Sequence, residues 1–176
     1  MTDVPSVPTG SDRPFDATIG LGSNVGDKRA NIARAIELLT ARGDIVLVAR
    51  SRDYRSAPWG VLEQDWFVNA VICVATGLAP HDLLARCLAV ENEMGRVRSQ
   101  KWGPRLIDVD VLTYRDETIN TPDLIVPHPL IAQRGFVLVP MREVAPGLKI
   151  NGREITDLLR DVDTSDLVPI EHGLKQ

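Results

Sequence analysis

The sequence predicts an α+β fold of the ferredoxin-like type, with an antiparallel sheet, helices packed on one face of it, and C-terminal additions. Three observations lead to this prediction. Strand-like and helix-like runs follow one another in the order βαββαβ. The length, 176 residues, is that of about one domain. The composition, 44% hydrophobic and 25% charged, supplies one apolar core and excludes a disordered chain, a coiled coil or a collagen-like repeat.

The domain is expected to occupy residues 16–165. Residues 1–15 are rich in Pro, Ser, Thr, Gly and Asp and show no periodicity, so we interpret them as a flexible N-terminal extension. Residues 166–176 are interpreted as a C-terminal tail. No internal repeat and no second domain boundary is visible in the sequence.

The first half of the pattern is a strand followed by a helix. A strand is predicted at 17–21, and a helix at 28–41 with Asp27 as its N-cap. Gly43 is expected to end the helix. The apolar stripe of this helix consists of Ile32, Ile36 and Leu39.

The second half contains two strands, a helix and a third strand. Strands are predicted at 45–49, continuing towards Tyr54, and at 66–76; Pro80 then opens a helix of about fourteen residues that Gly95 closes. One face of this helix is expected to carry Leu84, Leu88 and Glu91. The remaining elements are a strand at 106–114, a short apolar run at 136–140, a turn at Asn151-Gly152 and a small helix near 154–161.

Charge and hydropathy exclude several classes of function. The chain has 20 basic and 24 acidic residues, whereas a duplex-binding domain usually carries a basic excess. It has no apolar stretch of about 18 residues and no signal-peptide pattern at its start, so a cytoplasmic protein without membrane contact is expected. Cys73 and Cys87 lie in apolar runs and are interpreted as buried thiols.

The most informative motif is the pair Asp108 and Asp110 in the strand at 106–114. Alternate residues of a strand share a face, so the two carboxylates lie together, about 6.6 Å apart along the strand, while Ile107, Val109 and Val111 point to the core. Such a pair suits Mg²⁺, which prefers oxygen ligands and retains phosphates and waters. The alternative is a solvated or Arg-paired carboxylate pair on an open face.

A basic loop at 95–105 precedes this strand. It contains no acidic residue and four cations, Arg96, Arg98, Lys101 and Arg105. Arginine binds phosphate oxygens through paired donors, and Trp102 could cover a planar ring. Cations directly before a carboxylate pair indicate a polyphosphate held between Mg²⁺ and arginine. The alternative is an exposed basic loop whose Trp102 is buried in the core.

Three further residues could serve the same ligand. Glu91 lies on the apolar stripe of its helix, where it either pairs with a loop arginine or accepts a hydrogen bond from a nucleotide. His128 lies between two prolines, and Arg134 could join it on a phosphate. Taken singly, each of these residues more often has a structural role than a functional one.

A second group fits a flat polar ring. Pro58 and Trp59 begin a rigid turn, and Phe67 and Asn69 lie on one face of the following strand. An amide can both donate to and accept from a ring edge, while aromatic rings supply stacking. The alternative is that Trp59, Trp66 and Phe67 belong to the core.

The glycines at 20–26 follow a strand and precede a helix, but they fit no nucleotide-binding motif. The third glycine comes one position late for a dinucleotide fingerprint, and Asp27 stands where a P-loop requires lysine.

Four blocks of the sequence resemble the 6-hydroxymethyl-7,8-dihydropterin pyrophosphokinase family of folate biosynthesis. They span roughly residues 17–147 and are Ile19–Asp27; Ser56–Gly60 with Gln64 and Phe67–Ala70; Gly95–Arg98 with Trp102–Asp110; and Val126–Pro129 with Arg134–Leu138. The resemblance implies transfer of the β,γ-pyrophosphoryl unit of ATP to a pterin hydroxymethyl group, with release of AMP.

The resemblance also implies roles for individual residues. Asp108 and Asp110 match the ligands of two Mg²⁺ ions, and Arg96 and Arg105 match arginines that stabilise the transferring group. The matches to nucleotide or phosphate contacts are Glu91, Arg98, His128 and Arg134, with Lys101 the remaining candidate where Ser99 and Gln100 depart from the family pattern. The matches to the pterin site are Gly22, Ser23, Asn24, Pro58, Trp59, Phe67, Asn69, Trp102 and Phe136. Pro129 and Asp123 stand where some members of the family carry groups that contact the nucleotide.

The resemblance implies ATP and 6-hydroxymethyl-7,8-dihydropterin as substrates and no nucleic-acid partner, and we expect a monomer. Another Mg²⁺-dependent phosphoryl or nucleotidyl transferase is the alternative enzyme. A non-catalytic ligand or RNA module is the alternative outside enzymes. An RNA-binding sheet would carry aromatic residues and a basic face, whereas here the polar pair is Asp108 and Asp110.

Overall fold

The computed structural model of the chain describes residues 13–58, 63–95 and 106–171. The strands are β1 (Ala17–Ser23), β2 (Ile45–Arg50), β3 (Asp53–Ser56), β4 (Phe67–Thr76), β5 (Asp108–Tyr114), β6 (Ile119–Asn120), β7 (Ile125–Val126), β8 (Lys149–Ile150), β9 (Arg153–Glu154) and β10 (Val168–Ile170). The helices are α1 (Lys28–Thr40), α2 (Pro80–Glu93), α3 (Gly135–Val144) and α4 (Ile155–Arg160), with a 3₁₀ turn at Ile131–Gln133.

The main sheet is antiparallel and has the order β10-β3-β4-β1-β5, with β2 beside the other end of β4. β1 and β4 pair along their lengths, from Ala17 opposite Val74 to Ser23 opposite Val68. β2 and β3 act as one interrupted strand, because Ser51 between them still exchanges hydrogen bonds with Val71. The predicted βαββαβ ferredoxin-like plan is therefore confirmed, and the short sheets β6-β7 and β8-β9 are added to it.

The three predicted helices form as α1, α2 and α4, with ends within one residue of the predicted ones. The Asp27 side chain accepts the N–H of Ala30 at 3.1 Å and so caps α1. α2 starts at Pro80, and Gly95 follows its end with φ +83°, a conformation that glycine adopts without a steric penalty.

The predicted apolar face of α2 is wrong in part. Its buried residues are Leu83, Cys87, Val90 and Glu91. Leu84 packs partly against the core, but Leu88 is 36% exposed. Successive helical residues point about 100° apart, so burial of Cys87 turns Leu88 away from the sheet.

The two faces of the sheet carry separate apolar clusters. One lies under α1 and α2 and contains Ile19, Leu21 and Ile72. The other lies under α3 and α4 and contains Cys73 and Leu112. The apolar run at 136–140 is therefore part of helix α3, which covers the second face.

Both ends of the described chain are attached to the domain. Phe15 packs against the second apolar cluster, although it falls in the extension predicted at 1–15. β10 pairs with β3, so the sheet continues past the boundary predicted at residue 165.

Both cysteines are free and buried, and burial raises the pKa of Cys73 to about 11. Within the described residues, none of the helices is long and apolar enough to span a membrane.

Candidate active site

A cleft opens on the α3 face of the sheet, at the end where β1 finishes and where β4 and β5 begin. It encloses about 710 Å³, including its open mouth. The antiparallel pairing of β1 with β4 and β5 places Gly22 opposite both Asn69 and Asp108. The remaining wall is the start of α3. The lining residues are Gly20, Leu21, Gly22, Ser56, Ala57, Phe67, Asn69, Ala70, Val71, Asp108, Asp110, Leu112, Arg134, Phe136 and Val137.

Three carboxylates meet at one side of this cleft. Asp108 and Asp110 project from the same face of β5, as the sequence predicts, and Glu91 reaches them from α2. One carboxylate oxygen of each lies within 4.8 Å of the others. Glu91 is buried, and Asp108 and Asp110 are half-buried. This donor set, made of oxygen ligands only, is the kind that Mg²⁺ prefers.

Glu91 also has a structural contact. Its Oε1 accepts the backbone N–H of Val109 at 2.9 Å, and the residue is 2% exposed. The carboxylate thereby ties α2 to the start of β5, where the two aspartates stand. The sequence predicts two other partners for Glu91. The loop arginine lies outside the described residues, and the nucleotide is a ligand rather than part of the chain.

His128 and Arg134 lie beside the carboxylate cluster. The pKa of His128 is lowered to about 4 by burial and by the positive charge of Arg134, while the Asp108 carboxylate acts in the opposite direction. The backbone N–H of Leu130 donates to Nδ1 of His128 at 3.2 Å. The ring is therefore neutral at pH 7 and carries its proton on Nε2, where it can donate to a phosphate oxygen.

Arg134 brings a positive charge to the cleft wall. Its guanidinium lies 5.5 Å from the centre of the Phe136 ring, and the residue is 8% exposed. A buried guanidinium facing a cleft with acidic residues can bind a phosphate between itself and a metal ion. The sequence prediction that Arg134 and His128 act together is consistent with this geometry.

Asn69 is oriented by its neighbours on the sheet. Its Nδ2 donates to Oγ of Ser56 at 2.6 Å. A Cβ at position 22 would lie 2.9 Å from Oδ1 of Asn69, so only glycine allows this approach. Phe67 and Phe136 also line the cleft, which gives it two aromatic rings and one fixed amide. Such a combination suits a flat ring with amide-like edges.

Ser23, Asn24 and Pro58 do not line the cleft in the described part of the chain. Ser23 and Asn24 are buried, and their side chains hold the connection between β1 and α1. Oγ of Ser23 accepts from Asn31, and Nδ2 of Asn24 donates to Gln64. Pro58 is partly buried and directly follows the lining residue Ala57. Their predicted place near the substrate remains a prediction.

Six predicted site residues lie outside the described residues. They are Trp59, Arg96, Arg98, Lys101, Trp102 and Arg105.

Ser56, Ala57 and Leu112 also line the cleft, although the sequence alone predicts no role for them. Ser56 on β3 is the register partner of Phe67 on β4, and its Oγ accepts a hydrogen bond from Asn69. A polar residue at a strand end was the available signal, but only the strand register shows which amide it orients.

The site combines three clustered carboxylates, a buried arginine and a cleft with aromatic walls. On a ferredoxin-like fold this arrangement fits an enzyme that transfers a phosphate-containing group to a planar acceptor.

The comparisons specify which family of enzymes this is. Residues 18–146 match the model of the 7,8-dihydro-6-hydroxymethylpterin-pyrophosphokinase (HPPK) family. The chain is 48% identical over 155 residues to 2-amino-4-hydroxy-6-hydroxymethyldihydropteridine pyrophosphokinase of Methylorubrum extorquens, covering 88% of this chain and 98% of the relative. Its identity to the enzyme of the same name from Aquifex aeolicus is 44%, over 74% of this chain and 80% of the relative. The chain belongs to the HPPK family.

Solved structures agree on the fold. The wild-type Plasmodium falciparum HPPK-DHPS with pteroate aligns with a TM-score of 0.67 at 15% identity, over 88% of this chain. The chain spans 43% of that longer protein. At this level of identity the likeness supports the ferredoxin-like architecture alone.

Proposed function

We propose that the cleft binds a 6-hydroxymethyl-7,8-dihydropterin and that the cluster of Glu91, Asp108 and Asp110 faces the phosphates of ATP. The observation that carries this proposal is the position of three carboxylates, within 4.8 Å of one another, at the side of a cleft with aromatic walls. The family membership supplies the reaction, which is pyrophosphoryl transfer in folate synthesis.

The reaction joins the pterin hydroxymethyl oxygen to the β-phosphorus of ATP. The bond between this phosphorus and the oxygen that bridges it to the α-phosphorus breaks, and that oxygen leaves with AMP. The hydroxyl proton is released. The products are the pterin diphosphate and AMP, so atoms and charge balance without a further reactant. Catalysis of this kind depends on positioning and on stabilisation of charge.

Asp108 and Asp110 are the proposed ligands of two Mg²⁺ ions, with Glu91 beside them. The ions would neutralise the phosphate oxygens and hold the triphosphate in place. The donor set fits this assignment, because it contains only carboxylate oxygens and because one pair comes from alternate residues of a rigid strand. Glu91 fixes the start of that strand through its bond to Val109.

Asn69 is the proposed reader of the pterin edge. The bond from its Nδ2 to Ser56 fixes the plane of the amide, so that its remaining donor and acceptor are directed before the ligand arrives. Phe67 and Phe136 supply apolar ring surfaces. We assign Trp59 and Trp102, by family resemblance, to the same ligand.

The remaining predicted residues belong to the phosphate side of the proposal. Arg96 and Arg105 would stabilise the transferring group, and Arg98 and Lys101 would contact the nucleotide. His128 donates from Nε2 and Arg134 from its guanidinium, as their positions beside Asp108 support. We also propose that the protein acts as a monomer in the cytoplasm.

Incubation of the purified protein with MgATP and the pterin tests this function, with the adenine nucleotides separated by chromatography. We expect AMP, formed only when both pterin and Mg²⁺ are present. ADP would instead indicate an ordinary kinase, and pyrophosphate a nucleotidyl transferase. A folded protein that releases no nucleotide product would contradict the assignment and leave a non-catalytic binding module.

A further inference from the structure

The C-terminal segment 163–170 touches two walls of the cleft. We call this segment the C-terminal strap. It follows α4, passes the start of α3 and ends as β10, which pairs with β3. The strap lies beyond residues 18–146, the part of the chain that matches the family model. Its contacts are therefore not described by that match.

On one wall, the strap binds the backbone just after β3. Oδ2 of Asp166 accepts the N–H of Ala57 at 2.9 Å. Ala57 lines the cleft, and the adjacent Ser56 accepts the hydrogen bond that orients Asn69. The contact therefore runs from Asp166 through the backbone of Ala57 and Ser56 to the amide of Asn69.

On the other wall, the strap packs against the start of α3. A Cβ at Gly135 would lie 3.1 Å from Cγ2 of Thr164 and 3.3 Å from the carbonyl oxygen of Asp163. Gly135 stands between Arg134 and Phe136, both of which line the cleft. The same short segment thus contacts the backbone beside Ser56, which bonds to the Asn69 amide, and the backbone beside Phe136, which supplies one aromatic ring.

We propose that Asp166 is a positioning residue for the pterin, acting through Ala57 and Ser56 on Asn69. The inference rests on the proposed pterin site. A bond from a backbone N–H to a carboxylate is stronger than one between neutral groups, and here it fixes the chain at the point where β3 ends. Without it, Ala57 keeps its place in the wall only through its neighbours, and Ser56 holds the Asn69 amide less firmly.

The test compares steady-state kinetics of the full-length protein with those of Asp166→Ala. We expect the KM for the pterin to rise about tenfold, the effect of losing one hydrogen bond to a charged acceptor. The KM for ATP and kcat are expected to stay within about twofold, because Asp166 bonds to Ala57 on the opposite wall from the start of α3. Asp166→Asn retains an oxygen acceptor and is expected to restore most of the pterin affinity.

Asp161→Ala is the matched control, since Asp161 precedes the strap and pairs with Arg153 at the surface. It removes the same charge and is expected to leave both KM values unchanged. Thermal unfolding of all variants separates positioning from loss of structure. Equal pterin KM values for the parent and Asp166→Ala would overturn the inference, as would a parallel rise of both KM values with a lower Tm.

Asn69→Ala distinguishes this inference from the site on which it depends. If Asn69→Ala raises the pterin KM and Asp166→Ala does not, the pterin site stands and the strap has no positioning role. If neither variant changes the pterin KM, the proposed pterin site itself is wrong.

Discussion

The two faces of the main sheet are built from alternate residues of the same three strands, β1, β4 and β5, but one face forms an apolar core and the other lines the cleft. On the face under α1 and α2, the strands contribute most of an apolar cluster, which includes Ile19, Ile72 and Val109. On the opposite face, the neighbouring residues are Gly20, Gly22, Asn69, Asp108 and Asp110, all of which line the cleft.

The difference shows how a small domain accommodates a polar site without losing its core. Since side chains alternate along a strand, one residue can be buried for stability while the next is polar. The polar residues are confined to one end of the second face, because its other end still packs against α3 through Cys73 and Leu112. Substitutions on the two faces should therefore affect different properties.

The largest effect is expected from the aspartates on the site face. Asp108→Ala and Asp110→Ala should each lower kcat by at least about a thousandfold, which corresponds to several kcal/mol of lost charge stabilisation. The free energy of unfolding should change little, because neither residue belongs to an apolar cluster. Asp157→Ala, a surface aspartate paired with Arg160, is the control. Parent-like turnover in both variants would remove the metal assignment.

A substitution on the core face should give the opposite result. Ile72→Ala removes a fully buried side chain and should lower the free energy of unfolding by about 2–5 kcal/mol. At temperatures where the variant is folded, both KM values should match the parent. Val46→Ala, at a position that is 54% exposed on the adjacent β2, should change stability by less than about 0.5 kcal/mol. Denaturant unfolding with assays on the same samples checks this contrast.

Gly22→Ala probes the closest approach on the site face. The added methyl group would lie 2.9 Å from Oδ1 of Asn69, so the amide must move. We expect the pterin KM to rise about tenfold, as for loss of one oriented hydrogen bond. Gly77→Ala is the control, because nothing lies within 4 Å of the Cβ that it adds and the residue is not part of the cleft lining. Similar pterin KM values in the two variants would argue against Asn69 as the reader of the ring.

The last effect concerns the pH dependence of stability rather than catalysis. His128 has a pKa of about 4 in the folded protein and the ordinary 6.5 when unfolded, so the unfolded chain binds the proton first. Its contribution to stability is complete above pH 6.5 and is lost as the pH falls towards 4. His128→Gln should therefore show a shallower loss of stability across this range in denaturant titrations. Parallel curves for parent and variant would contradict the lowered pKa.

Much of the fold could be predicted because its signals are local. The Asp27 cap, Pro80 and Gly95 mark helix ends through backbone chemistry that does not depend on distant residues. α3 and β10 could not be predicted in the same way. The apolar run at 136–140 is too short to distinguish a strand from a helix, and β10 exists because three residues pair with a distant strand.

The features of the site also separate into those that follow from local sequence patterns and those that depend on contacts between distant residues. The shared face of Asp108 and Asp110 follows from a strand period of two, and the structure confirms that both line one cleft. The contact of Glu91 with Val109 and the bond of Ser56 to Asn69 depend on helix placement and strand register. Neither can be read from spacing, and Leu88 shows that even a helical face can be misjudged by one position.

The most direct test of the division between the two faces is a Mn²⁺ titration in which electron paramagnetic resonance measures the bound ion. The titration includes an ATP analogue that has a methylene group between its α- and β-phosphates. We predict that the parent and Ile72→Ala bind two Mn²⁺ per chain with the analogue. Asp110→Ala, folded to the same extent, should bind fewer. Equal Mn²⁺ binding by Asp110→Ala and the parent would show that the carboxylates of the site face do not hold the metal.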